Sequence, residues 1–118
     1  MPAFRFTQTV LAGAIVPNVM TGSQFEFLGR PTRIQIYMIQ DGGVGDGIGE
    51  SEVFFGQELE LSQAPITNAA GAGEGPRVPD DQVVDDIGAP GDRIVIRLQE
   101  TGGANPAQVR GLVNLTPL

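Results

Sequence analysis

The sequence predicts an all-β protein, an antiparallel β-sandwich built as one domain over residues 1–118. Three observations predict it. Apolar and polar residues alternate with period two over much of the chain, the pattern of strands with one buried face. Glycine (17) and proline (9) gather between the alternating runs, where turns belong. Apart from residues 80–87, which also fit one helical turn, no run has helical spacing. A chain of 118 residues is one domain and buries roughly 65% of the surface its unfolded form exposes. One core therefore suffices, and with no cysteine in the chain no disulfide assists it.

Residues 4–11 open the chain as a strand rich in aromatic and β-branched types. Residues 10–16 are an apolar run, read either as that strand continuing or as an arm that orders on docking. The run is too short to span a bilayer. It follows an alternating polar stretch rather than a basic one, so it is not read as a signal peptide. After a turn at Pro17-Asn18, residues 19–28 read as a second strand, with Phe25 and Phe27 opposite Gln24 and Glu26. Gly29-Arg30-Pro31 breaks it. Residues 32–40 alternate strictly, Ile34, Ile36 and Met38 against Arg33, Gln35 and Tyr37.

Residues 41–49 form a glycine-rich loop. Residues 50–55 and 57–63 are two further strands with a bend or bulge at Gly56. Residues 64–79 are irregular. Residues 80–87 fit a short strand or one helical turn, and the pattern leaves both open. Ala89-Pro90-Gly91-Asp92 is a turn by composition. Residues 93–100 are a strand with Ile94, Ile96 and Leu98 inward and Arg93, Val95, Arg97 and Gln99 outward. A turn at residues 102–106 leads to a last strand over 107–115, with Val109, Val113 and Leu115 inward. Seven or eight short strands suit a single jelly roll, two sheets packed face to face. An immunoglobulin-like sandwich is the alternative, though the chain lacks that fold's cysteine pair and tryptophan. A small closed barrel comes third.

Composition narrows the function. There is no histidine, cysteine, lysine or tryptophan. Most nucleophilic, acid–base and transition-metal chemistry thereby loses its usual carriers. Ser23, Ser51 and Ser62 have no histidine to take their proton. The chain is read as not an enzyme. A formal charge of −7 opposes direct contact with nucleic acid, which wants clustered positive charge.

Two acidic stretches invite a cation. Asp41, Asp46 and Glu50 lie within ten residues along the glycine-rich stretch 41–50 and offer hard oxygen ligands to calcium, although the order of an EF-hand loop is absent. The alternative is a hairpin loop carrying solubilising charge. Asp80, Asp81, Asp85 and Asp86 form the densest acidic run, read as a solvated face or as partners for arginines of a second subunit. Apart from calcium, no cofactor is implied. The outward residues Arg33, Tyr37, Arg93 and Arg97 combine arginine and an aromatic ring, the composition of a polar interface; the alternative is an ordinary exposed sheet face.

The short β-domain, its turn-rich loops, the missing catalytic residue types and the tail at residues 110–118 together resemble the small single-jelly-roll structural proteins of bacterial or archaeal viruses. That resemblance implies a virion location and a capsid, vertex or decoration subunit. Its partners would be copies of itself and other virion proteins. The acidic balance favours an outer position over genome packaging. The competing reading is an extracellular carbohydrate- or ligand-binding β-sandwich module stabilised by calcium.

Overall fold

The computed structural model describes residues 3–41, 46–69 and 75–118. Their elements are β1 (Ala3–Val10), β2 (Ile15–Val16), β3 (Thr32–Gln40), β4 (Gly49–Phe55), β5 (Glu58–Pro65), β6 (Gln82–Gly88), β7 (Ile94–Glu100) and β8 (Ala107–Pro117). They form two four-stranded sheets, in the orders β1-β8-β3-β6 and β2-β7-β4-β5. Every pairing is antiparallel. The protein is an all-β sandwich. The partners nest: β1 lies by β8, β2 by β7, β3 by β6 and β4 by β5. The pairs thus nest in sequence about the β4–β5 hairpin.

The strict alternation of β3, β7 and β8 does what its period requires. Ile34, Ile36 and Met38 from one sheet meet Ile94, Ile96 and Leu98 from the other. Val53, Phe55, Val109, Val113 and Leu115 complete the layer, all buried. Each such side chain stabilises the fold by about 2 kcal/mol on leaving water. Phe6 pairs with Gly111 and lays its ring across that backbone, where a Cβ would fall within the ring.

The structure differs from the sequence reading in three places and settles a fourth that was left open. Residues 10–16 are neither an arm nor one strand. The chain turns at Gly13, whose φ of +69° suits glycine, and enters the second sheet as β2. Residues 19–28 are not a strand. They run as successive turns along the edge of β7, bonded to it through the Val19 N–H and the Glu26 carbonyl, while Leu28 bonds Gly91 and Asp92 and Phe27 bridges Arg93, all just before that strand. Turn formers won there: Asn18, Gly22 and Ser23 bend the chain faster than the phenylalanines can extend it. For residues 80–87, where strand and helical turn both stood open, the strand is found, over Gln82–Gly88. Tyr37, read as outward, is 2% exposed, buried on the outer face of its sheet together with Ile39 and Leu112.

Candidate functional site

The structure separates the four predicted interface residues. Arg33 and Tyr37 lie on β3 in one sheet, while Arg97 lies on β7, and Arg93 just before it, in the other. Alternation reports which side of its own sheet a residue faces, not which sheet it belongs to. The three arginines are also engaged within the chain. Arg33 makes a forked pair with Asp85, at 2.9 and 2.7 Å, and the pairing holds that carboxyl below its usual range. Arg93 donates to Glu26 at 2.6 Å. The Glu26 pKa is lowered first by the Gly22 N–H and then by Arg93. Arg97 lies 3.4 Å from Glu52.

The residues predicted to hold calcium are held by other partners or face solvent. Asp41 is buried and accepts from Arg110. Glu50 accepts from Gln63 and Thr101. Asp46 is exposed. Residues 42–45 of the loop between them lie outside the described residues. The aspartate run disperses too. Asp85 goes to Arg33, Asp81 accepts the Arg77 N–H at 2.7 Å, and Asp86 turns toward the other sheet.

Among the described residues, one group of three carboxylates does converge: Glu58, Glu60 and Asp86, with one oxygen from each within 4.8 Å of the others. It sits where the edge strands β5 and β6 of the two sheets approach. A bulge builds it. Leu59 pairs with Phe54 and Leu61 with Val53, so Glu60 is the extra residue on β5 and is turned off the regular alternation. Its Oε1 is buried without a hydrogen-bond partner. Burial, then the neighbouring Asp86, Glu58 and Asp92, push the Glu60 pKa up to about 7. Chemically the group can keep a carboxylic acid neutral near pH 7, or offer oxygen ligands to a divalent cation. The sequence reading singled out neither Glu58 nor Glu60, because a bulge leaves no mark on an alternating Glu-Leu-Glu-Leu run.

The sign of the Glu60 shift predicts a stabilising substitution. A folded pKa near 7 against an ordinary 4.5 means that its contribution is complete below pH 4.5 and is lost as pH rises through 7. Glu60→Gln should therefore stabilise the protein by about 1 kcal/mol at about pH 8. Below the ordinary glutamate range it should change little. Thermal melts of both proteins across pH check this. Equal melting temperatures at alkaline pH would show that Glu60 ionises without penalty.

Glu100 is the other residue the sequence reading missed. It is 1% exposed, and its two oxygens accept four backbone N–H bonds: Gly13 and Gly103 on Oε1, Ile48 and Gly102 on Oε2, at 2.7–2.9 Å. Those bonds, led by Gly13, hold its pKa at about 2. A signal was present. Ile94, Ile96, Leu98 and Glu100 share one parity, so the rule that buries the first three also buries the charge.

The described residues enclose no cavity, and none of their helices is long and apolar enough to cross a membrane. Comparison with known proteins gives no match, whether to a protein family, a curated protein or a solved structure.

Proposed function

We propose that the chain is a non-enzymatic structural subunit of a virus particle, a small capsid, vertex or decoration protein. It works through contacts with copies of itself and with other shell proteins. The observation that carries this reading is the nested strand pairing, which we read as a single jelly roll, an architecture that viral shell subunits use. The argument is one of fold analogy. The charge of −7 agrees with an outer position, away from the genome. Size exclusion with light scattering, followed by negative-stain microscopy of the peak, tests it. Closed rings or larger assemblies are expected, and a monomer at every concentration would overturn the reading.

One observation favours a second reading, the cation-stabilised binding module. Jelly rolls also serve as lectins, and Glu58, Glu60 and Asp86 are grouped as oxygen ligands. That reading expects a monomer whose melting temperature rises with added calcium, and expects Glu60→Gln to abolish the rise. A parent protein that melts alike with calcium and with chelator would exclude it.

A further inference from the structure

A sheet edge with free N–H and C=O groups pairs with another chain unless something blunts it. The sandwich has four edges, β1 and β6 in one sheet and β2 and β5 in the other. Three are blunted. β2 is two residues long. β5 carries two register shifts, Pro65 at its end, and Glu58 and Glu60. β6 has a register break opposite Ile36 and Tyr37, together with Asp85 and Asp86. β1 has none of these devices. It pairs with β8 over eight consecutive residues without a shift. It contains no proline and no acidic residue, and its single charge is Arg5. Among the described residues Arg5 makes no ion pair. Among the described residues no backbone hydrogen bond outside the sheet reaches residues 3–10, and the outer-face residues Ala3, Arg5, Thr7 and Thr9 are all exposed.

We propose that β1 is an assembly edge that pairs antiparallel with β1 of a second copy, joining two four-stranded sheets into one across a two-fold axis through Thr7. Charge selects the occupant. Two copies of an acidic chain repel, and β5 or β6 meeting its own copy would set carboxylates against carboxylates. β1 is the edge where self-contact brings no such repulsion. Symmetry limits the register. A two-fold axis normal to the sheet keeps side chains on their own face, so paired positions share parity. The longest overlaps then centre on Phe6 or on Thr7. Phe6 turns its ring back over Gly111 of its own chain, which leaves no aromatic pair to gain on the axis. Centring on Thr7 sets Thr7 against Thr7, Arg5 against Thr9 and Phe4 against Val10. Val10 is already buried in its own core, so the exposed outer face carries the selection: a threonine–threonine pair of the kind antiparallel strands favour, flanked by Arg5–Thr9, and Arg5 never meets Arg5.

The interface deepens the structural-subunit reading and rests on it for its purpose, but it is tested separately. The chain has no cysteine, so a single one reports cleanly. Under mild oxidation Thr7→Cys should give a disulfide-linked dimer, because positions facing across an antiparallel pair lie within disulfide reach. Ile87→Cys, exposed on β6, should remain uncrosslinked. In sedimentation Thr7→Asp, which sets two carboxylates on the axis, should weaken the dimer by roughly tenfold or more. Thr7 is exposed, so the melting temperature of the dilute monomer should hold. Thr7→Cys crosslinking no better than Ile87→Cys, or Thr7→Asp associating like the parent, would overturn the edge proposal. Shells that form with β1 uncrosslinked would end the proposal and spare the function. A β1-linked dimer that builds nothing larger would do the reverse.

Discussion

Glu100→Gln should lower the melting temperature at neutral pH by on the order of 10 °C. The side chain keeps its length and shape but loses half of its function. The native carboxylate takes two backbone N–H bonds on each oxygen. A glutamine NH₂ in either orientation would point donor at donor on one side and leave two buried N–H groups unpaired. The damage spreads, because the four donors come from three separate connections: Gly13 before β2, Ile48 before β4, and Gly102 and Gly103 after β7. The wild-type protein should show the same interaction as acid sensitivity. A folded pKa of about 2 against an ordinary 4.5 gives stability that is complete above 4.5 and lost as pH falls toward 2. Glu26 and Asp85, also held low by their partners, add to that limb. Glu60 acts in the opposite sense between 4.5 and 7. The melting temperature plotted against pH should therefore peak near 4.5 to 5, acid of neutrality. In Glu100→Gln the acid limb should flatten. A variant that melts with the wild type at neutral pH, or retains its full acid limb, would contradict the role assigned to the carboxylate.

Alternation made the sheets legible and left their assembly hidden. β3, β7 and β8 announce themselves because every second residue is small or apolar while the other face carries most of the polar residues, Tyr37, Ile39, Val95 and Leu112 apart. β6 does not: Asp85 and Asp86 stand side by side in an edge strand, where both faces reach water, so no period survives. Residues 19–28 show the opposite failure. The alternation of Phe25 and Phe27 with Gln24 and Glu26 is genuine, but only Phe25 packs toward the core, against Phe4, while Phe27 is 62% exposed. Glu26 spends its carboxylate on Gly22 and Arg93, which locks a turn that a strand would have to open. Local pattern could not weigh those distant partners.

The candidate sites were less legible for the same reason. Glu58, Glu60 and Asp86 are brought together by the approach of two sheet edges and by one extra residue in β5, neither of which is a property of any local window. Arg33 and Arg97 looked alike as outward arginines. They sit on different sheets because β3 pairs with β8 and β6 while β7 pairs with β2 and β4, which is decided by long-range pairing rather than composition. The buried polar ends of the inward series were readable. Gln40 follows Ile34, Ile36 and Met38 in parity as Glu100 follows Leu98. Both are buried, and both hold backbone, Gln40 through the Gly49 N–H at 2.7 Å. A polar residue that continues an apolar parity series is a sequence signal for an anchored strand end.

Asn18→Ala should destabilise the protein by about 3 kcal/mol, a large part of the 5–15 kcal/mol typical of a domain. β2 covers the edge of β7 only at Leu98 and Gln99. Below that point the edge needs partners, and the Asn18 side chain supplies them as a backbone would. Its Oδ1 accepts the Ile96 N–H and the Met20 N–H, and its Nδ2 donates to the Ile94 carbonyl, each at 3.0 Å. The residue is 8% exposed, so water has little access to replace it. Alanine would strand two donors and an acceptor beside the core, next to the fully buried Met20, Ile94 and Ile96. Asn18→Asp keeps the acceptor but sets a carboxylate oxygen against the Ile94 carbonyl. It should cost at least as much at neutral pH and recover part of the loss in acid, where the carboxyl can donate. Urea unfolding decides the matter: the midpoint should fall with the slope unchanged, because the loss is in native contacts and not in the compactness of either state. A change under about 1 kcal/mol would mean that the turn rebuilds these bonds without the side chain. Below β2 the edge of β7 would then be held by the Val19 and Glu26 backbone.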